Sequence, residues 1–209
     1  MDIDIDEINK NISKDVSDGD IQKYFDFNVS KDIIKYSELH KYKSIEQLLP
    51  KNKSFKIILL ESEPSKGHWL ILLRYNKTIE FFDSYGSNMD TELKYIPAEM
   101  NKKLHQDHYY DKLIKEASKR FNVIHNKKKF QEQGDQIQTC GRHSLLRLFM
   151  LLDFNMDLYH YIYFMKELKK EYGLSYDQLV SWLILTEAPI QLRLYKYTEI
   201  PGTLELLGF

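Results

Sequence analysis

The chain has 209 residues, 43% hydrophobic and 29% charged, with a formal net charge of −1. That is the balance of a folded globular body with one substantial domain, and it lacks the global basic excess that marks a nucleic-acid binder. A single cysteine excludes a disulfide framework within the chain and points to an intracellular, reducing setting. No apolar run approaches a membrane span and the start, MDIDIDEINK, lacks a signal-peptide pattern, so no membrane partner is expected.

Residues 1–20 are acidic and polar and are expected to form a flexible N-terminal tail, with 21–209 as a single domain. A helix is predicted from Ser17, capped by Asp18 or Asp20, with Ile21, Tyr24 and Phe25 as its buried stripe. A short one follows over Ser44 to Leu49, stopped by Pro50. The pattern then changes to strands. FKIILLE from Phe55 and HWLILLRYN after Gly67 are apolar runs, and a turn at Asn76 and Lys77 leads into TIEFFD as a hairpin. Helices are predicted over Thr91 to His105 and Tyr109 to Lys119, and FNVIH (121–125) reads as a fourth strand. Further helices are expected at about 141–153, 157–171 and 175–187, broken at Gly173, and a turn at Pro201-Gly202 in the tail from Pro189. With no repeat or linker, the pattern is that of an α+β fold.

Cys140 ends the polar stretch QEQGDQIQT and precedes a helix whose core stripe is Leu145, Leu148, Phe149 and Leu152. Free N–H groups and the positive end of the helix dipole at that position favour a thiolate, the form in which cysteine is a nucleophile. The base is expected to be His68, at a strand start between Gly67 and Trp69. Asp83 ends the neighbouring strand of the hairpin, where it can orient the imidazole. An acyl-transfer site also needs oxyanion donors already in place. The Cys140 backbone N–H is one; for the other, Gln131, Gln133, Gln136 and Gln138 compete. Trp69 and Tyr85 are candidates for a substrate cleft, though packing into the core serves them equally. His105 and His108 lack the Cys or carboxylate cluster that would complete a typical metal set, and no metal is expected. The lysines at 127–129, with Lys166, Lys169 and Lys170, read as solvated faces.

Taken together, GHWLIL (67–72), FFDSYG (81–86) and QGDQIQTCGRH (133–143) resemble the adenovirus-type cysteine proteases, related to those that process SUMO. The order His, Asp, Gln, Cys-Gly is the family's. The likeness is strongest to proteases of virophages and of Maverick or Polinton elements, in which a stretch like IIKYSELHKYKSIEQLL (33–49) also precedes the histidine strand. It covers roughly 20–155 of the chain.

The resemblance implies a papain-like core in permuted order, a mixed or antiparallel sheet packed against the nucleophile helix. It implies Gln133 in the oxyanion hole; aligning NKKKFQ instead selects Gln131. It implies an endopeptidase without cofactor, acting as a monomer on capsid or core precursor proteins at glycine-containing sites, in the virion or the cytoplasm or nucleus of an infected host. Ubiquitin-like modifiers of the SUMO type are the alternative substrates. Stimulation by DNA or a peptide is a family property, but with Cys140 as the only thiol a disulfide-linked activating peptide is excluded.

Overall fold

Asp4 accepts a hydrogen bond from the Glu7 N–H at 2.9 Å and so starts α1, Ile5–Ile12. The stretch expected as a flexible tail thus contains a helix, and Ile8 on it is buried at 3% exposure. The acidic residues that suggested solvation serve as its cap and first turn, where negative charge is favoured. The computed structural model describes residues 4–25 and 28–185; the predicted Pro201-Gly202 turn and the end of the last helix lie outside the described residues.

The chain divides into two compact units. One is formed by Ser17–Lys129, the other by residues up to Val16 together with those from Phe130 onward.

The first unit opens with α2, Asp18–Lys23, whose cap is Ser17 in a capping box with Asp20. Ile21 is fully buried. Its sheet has five strands in the order β1-β2-β3-β4-β5: β1 Ile33–Lys35, β2 Ser54–Glu63, β3 Lys66–Tyr75, β4 Thr78–Phe82 and β5 Asn122–His125. The central pairs are antiparallel and the outer two parallel, a mixed sheet within the α+β class. Asn76, at φ 50°, and Lys77 make the expected two-residue turn, with Tyr75 opposite Thr78.

Ile58, Leu60, Leu70, Leu72, Ile79 and Phe81 share one core with Ile45 and Leu48 of α3, Ile45–Leu48. The helix predicted over 91–105 is broken instead. α4, Met89–Glu92, tightens into a 3-10 turn, and α5, Ala98–Lys103, starts after Pro97. Proline has no N–H to continue the ladder and favours a helix start, which accounts for the interruption. α6, Tyr109–Ala117, completes the unit and buries Tyr110, Leu113 and Ala117.

The second unit consists of α1, α7 Cys140–Phe154, α8 Leu158–Tyr172 and α9 Tyr176–Leu185. Asp157 caps α8, and Gly173 ends it at φ 66°, a conformation that glycine adopts without strain. α1 lies along α9, with Gln178 Nε2 donating to Asn9 Oδ1 at 3.0 Å.

Candidate active site

In the first unit, the β3–β4 register pairs Ile71 with Phe82. Continued by one residue, it sets Asp83 opposite Leu70 and diagonal to His68 on the same face. The side chains meet: His68 Nε2 lies 2.6 Å from Asp83 Oδ1. The carboxylate is fully buried and the imidazole half-buried. Asp83 Oδ1 also accepts the Tyr85 N–H at 3.0 Å, and Oδ2 the Ser87 N–H at 2.9 Å. Such a carboxylate is an orienting group with its lone pairs already directed. It selects the tautomer with hydrogen on Nε2, which makes Nδ1 the basic nitrogen.

Tyr85 stacks on the imidazole, ring centroids 4.8 Å apart at 23°. Its backbone belongs to the turn in which the Gly86 N–H donates to the Asp83 carbonyl at 2.9 Å. Gly86 has φ +78°, and a Cβ there would sit 3.1 Å from the Lys127 and Lys128 carbonyl oxygens. Gly67, just before His68, is tighter still: a Cβ would fall 1.9 Å from the Leu60 carbonyl oxygen. Glycine is therefore what lets the start of β3 lie against β2 and sets the height of His68. Trp69 points elsewhere. It is buried and lines a cleft of about 190 Å³ with Ile33, Ile34 and Leu59.

Glu92 of α4 is buried nearby, and its Oε1 has no hydrogen-bond partner. Burial pushes its carboxyl upward, opposed by a hydrogen bond from Ser87; the Asp83 charge raises it further and His68 lowers it.

In the second unit, Cys140 is the first residue of α7, a helix of 15 residues, and is buried at 8% exposure. Thr139 occupies the cap position without capping the helix by its side chain. Its hydroxyl donates to Asp177 Oδ1 instead. No acidic residue lies in the first turn of α7, where the positive end of the helix dipole falls.

The preceding loop is built around Phe130, buried against His143, Tyr161 and Tyr176. Gln131 is buried and donates its amide to the Ile137 carbonyl at 3.1 Å, a bracing bond. Gln133, like Gln136, is exposed, and Gln138 is half-buried. Of the residues flanking Cys140 on its C-terminal side, Arg142 reaches back to the Gln138 carbonyl at 3.3 Å and His143 faces Asp177 Oδ1 at 3.3 Å. Burial alone would raise the Asp177 carboxyl, but the hydrogen bond and charge of His143, with Thr139 and the Glu132 N–H, hold it below its usual range.

No protein-family model matches the chain. It is 31% identical over 155 residues to the uncharacterized protein V9 of Sputnik virophage, an alignment that spans 74% of this chain and 86% of that protein. The chain belongs to the V9 family. Among solved structures, it is similar to the SUMO protease Ulp1 with its catalytic cysteine oxidized to a sulfenic acid. That match has a TM-score of 0.38 at 18% identity and covers 90% and 88% of the two chains. The C-terminal Ulp1 protease domain in complex with Smt3, the yeast ortholog of SUMO, gives a TM-score of 0.31 at 17% identity, covering 88% and 95%. Likenesses this distant assign no residue and no reaction to the V9 family.

Two residues of this V9-family chain escaped the sequence reading. Asn126 follows β5 and holds the Asp83 main chain, accepting its N–H at 2.9 Å and donating to its carbonyl at 2.5 Å. Asp177 is the hub beneath the cysteine loop. An asparagine directly after the predicted strand FNVIH was the available signal for the first; nothing local marked the second. Among the described residues, Asp90, His108 and Asp111 also bring their ligand atoms within 4.8 Å of one another; His105 is not in the group. Asp90 accepts from Tyr36 Oη at 2.5 Å and from the Asp111 N–H at 3.0 Å. Those bonds fix the start of α6, where the helix dipole opposes a cation.

Proposed function

We propose that the chain is a cysteine endopeptidase, with Cys140 as nucleophile, His68 as general base and Asp83 orienting the histidine. The observation that carries the reading is the 2.6 Å contact between His68 Nε2 and the buried Asp83 carboxylate, which supplies an imidazole of fixed tautomer. Cys140 at an uncapped helix start is the matching nucleophile.

In the reaction, His68 Nδ1 takes the thiol proton and the sulfur attacks the scissile carbonyl carbon. The carbonyl electron pair moves to oxygen, where the Cys140 N–H and the Gln133 amide are the proposed donors. The bracing bond that Gln131 makes to Ile137 supports giving this role to the exposed Gln133 instead. Collapse breaks the C–N bond, His68 protonates the leaving amine, and a thioester remains. Water adds to it with His68 as base, and the thiolate is released.

Kinship with a virophage protein supports a substrate among viral capsid or core precursors, cut at small-residue sites containing glycine within the virion or the infected cell. The stack of Tyr85 on His68 supports a cleft wall there, with Trp69 lining the mixed polar and apolar cleft beside β1. The test is labelling of purified protein with a peptide vinyl sulfone ending in glycine, across pH, beside His68→Ala. Fast labelling of Cys140 well below the usual thiol range, lost in the variant, is expected. Slow labelling alike in both proteins would remove the triad. Incubation with capsid precursors and with a modifier extended beyond its Gly-Gly tail then fixes the substrate class; exclusive cleavage of the modifier would overturn the maturation role.

A further inference from the structure

Asp177, near the start of α9, is 2% exposed and takes three hydrogen bonds from the cysteine loop and helix. Oδ2 accepts the Glu132 N–H at 3.0 Å. Oδ1 accepts the Thr139 hydroxyl, and His143 Nε2 lies 3.3 Å from the same oxygen. Glu132 and Thr139 are the two feet of loop 132–139, and one carboxylate grips both. The residue after the first foot is Gln133, and the residue after the second is Cys140. His143 is one turn into α7, its N–H donating to the Thr139 carbonyl at 2.9 Å, so the grip extends onto the helix.

The loop is also held near its second foot, where the Gln138 N–H donates to the Ile12 carbonyl at 2.8 Å and the Gln138 amide to the Asp135 carbonyl at 3.3 Å. Ile137 N–H closes a turn on the Gly134 carbonyl at 3.0 Å, and Gln131 braces Ile137. Residues 132–136 are exposed. The threonine at the cap position gives its hydroxyl to Asp177 and not to α7, although capping is the usual use of that residue there. A buried carboxylate that accepts from both ends of one loop fixes the distance between them, and removing it leaves buried donors without an acceptor.

We infer that Asp177 is a positioning residue that holds the oxyanion donor Gln133 in register with the nucleophile Cys140. The inference rests on the cysteine-peptidase reading and adds to it the group that sets the oxyanion geometry. It separates two reactions of the same sulfur. Hydrolysis of an amide passes through an oxyanion and needs the loop in place. Alkylation by iodoacetamide displaces iodide at a saturated carbon, forms no oxyanion, and needs only the thiolate.

The experiment compares wild type, Asp177→Ala, Thr139→Val and Thr139→Ser. It measures kcat and KM on an aminocoumarin amide of a peptide ending in glycine, beside iodoacetamide labelling of Cys140 as a function of pH. Asp177→Ala is expected to lose about 10²-fold in kcat, as for loss of one oxyanion donor, with KM little changed and the labelling rate and its pH profile kept. Thr139→Val, which removes one grip and leaves the carboxylate, should lose less, and Thr139→Ser, which keeps the hydroxyl, should recover it. If Asp177→Ala fails to fold, the valine and serine pair decides: equal kcat in the two overturns the inference. So does a folded Asp177→Ala with unchanged kcat, or one whose hydrolysis and labelling fall together. A wild type whose labelling does not depend on His68 sinks the peptidase reading itself, a result visible before any Asp177 variant is made.

Discussion

Asn126 grips the main chain of Asp83 from both sides, its side-chain carbonyl accepting the Asp83 N–H at 2.9 Å and its amide donating to the Asp83 carbonyl at 2.5 Å. The same amide reaches the Lys128 carbonyl at 3.0 Å. The segment after β5 is thereby tied to the residue that orients His68. Asn126→Ala leaves a buried N–H and carbonyl at Asp83 unpaired and frees the carboxylate to shift. A displacement of about 1 Å in such a group lowers turnover by about 10²-fold. Steady-state kinetics on the variant should show that loss in kcat, with thermal unfolding still cooperative.

The relative importance of His68 and Asp83 follows from their roles. In the proposed mechanism His68 moves the proton, whereas Asp83 fixes tautomer and orientation and shares that task with the stack against Tyr85. His68→Ala should lower kcat by about 10²–10⁴-fold, the usual range for a general base. Asp83→Ala should lower it less. Equal activity of His68→Ala and wild type would remove the base from the mechanism.

Gly67 of β3 lies opposite Glu61 of β2. An added Cβ would meet backbone 1.9 Å away at the Leu60 carbonyl oxygen, with the Glu61 Cα at 2.8 Å. Backbone cannot swing aside as a flexible side chain can, so the strand must move. Gly67→Ala should destabilise the chain by about 1–3 kcal/mol, the usual cost of overpacking, read as a lower urea midpoint. Because His68 is the next residue, labelling of Cys140 by the vinyl sulfone should also slow in the fraction that remains folded.

Much of this arrangement was legible in the sequence because it is local. The Asn76-Lys77 turn between two apolar strands fixes the hairpin register, and that register brings His68 to Asp83. The stripe from Leu145 onward gives α7, with Cys140 at its first turn. Three features resisted. β1 has three residues, too few for a periodic signal, and exists through its parallel pairing with β2. α1 was hidden by its acidic composition, although Asp4 is its cap. The roles of Asn126 and Asp177 depend on long-range contacts, to residues 43 positions away for Asn126 and 45 and 38 for Asp177. The break at Pro97 was visible in the sequence, and a helix drawn through it overrode the steric rule.

The two buried carboxyls, Glu92 and Asp177, should respond to pH with opposite sign. Asp177 is held below its ordinary 3.8. The unfolded chain binds its proton more readily, so the stability it contributes is present above that value and lost as pH falls through the lowered one. Glu92 is raised above its ordinary 4.5, chiefly by burial. The folded chain keeps that proton longer, so stability falls as pH rises from the ordinary value to the raised one and stays reduced above it. Thermal unfolding at about pH 4 and about pH 8 reads Glu92, since the two values bracket the shifted range of an acid raised by burial, and a further melt well below pH 3.8 reads Asp177. Glu92→Gln, which keeps the shape and removes the charge, should melt above wild type at the higher pH and close to it at the lower. Asp177→Asn should melt below wild type at the higher pH, the gap narrowing as acid takes the carboxylate from the wild type as well. A Glu92→Gln variant that melts lower than wild type at the higher pH would mean that the ionised carboxylate stabilises the fold beside His68, against the direction its burial dictates.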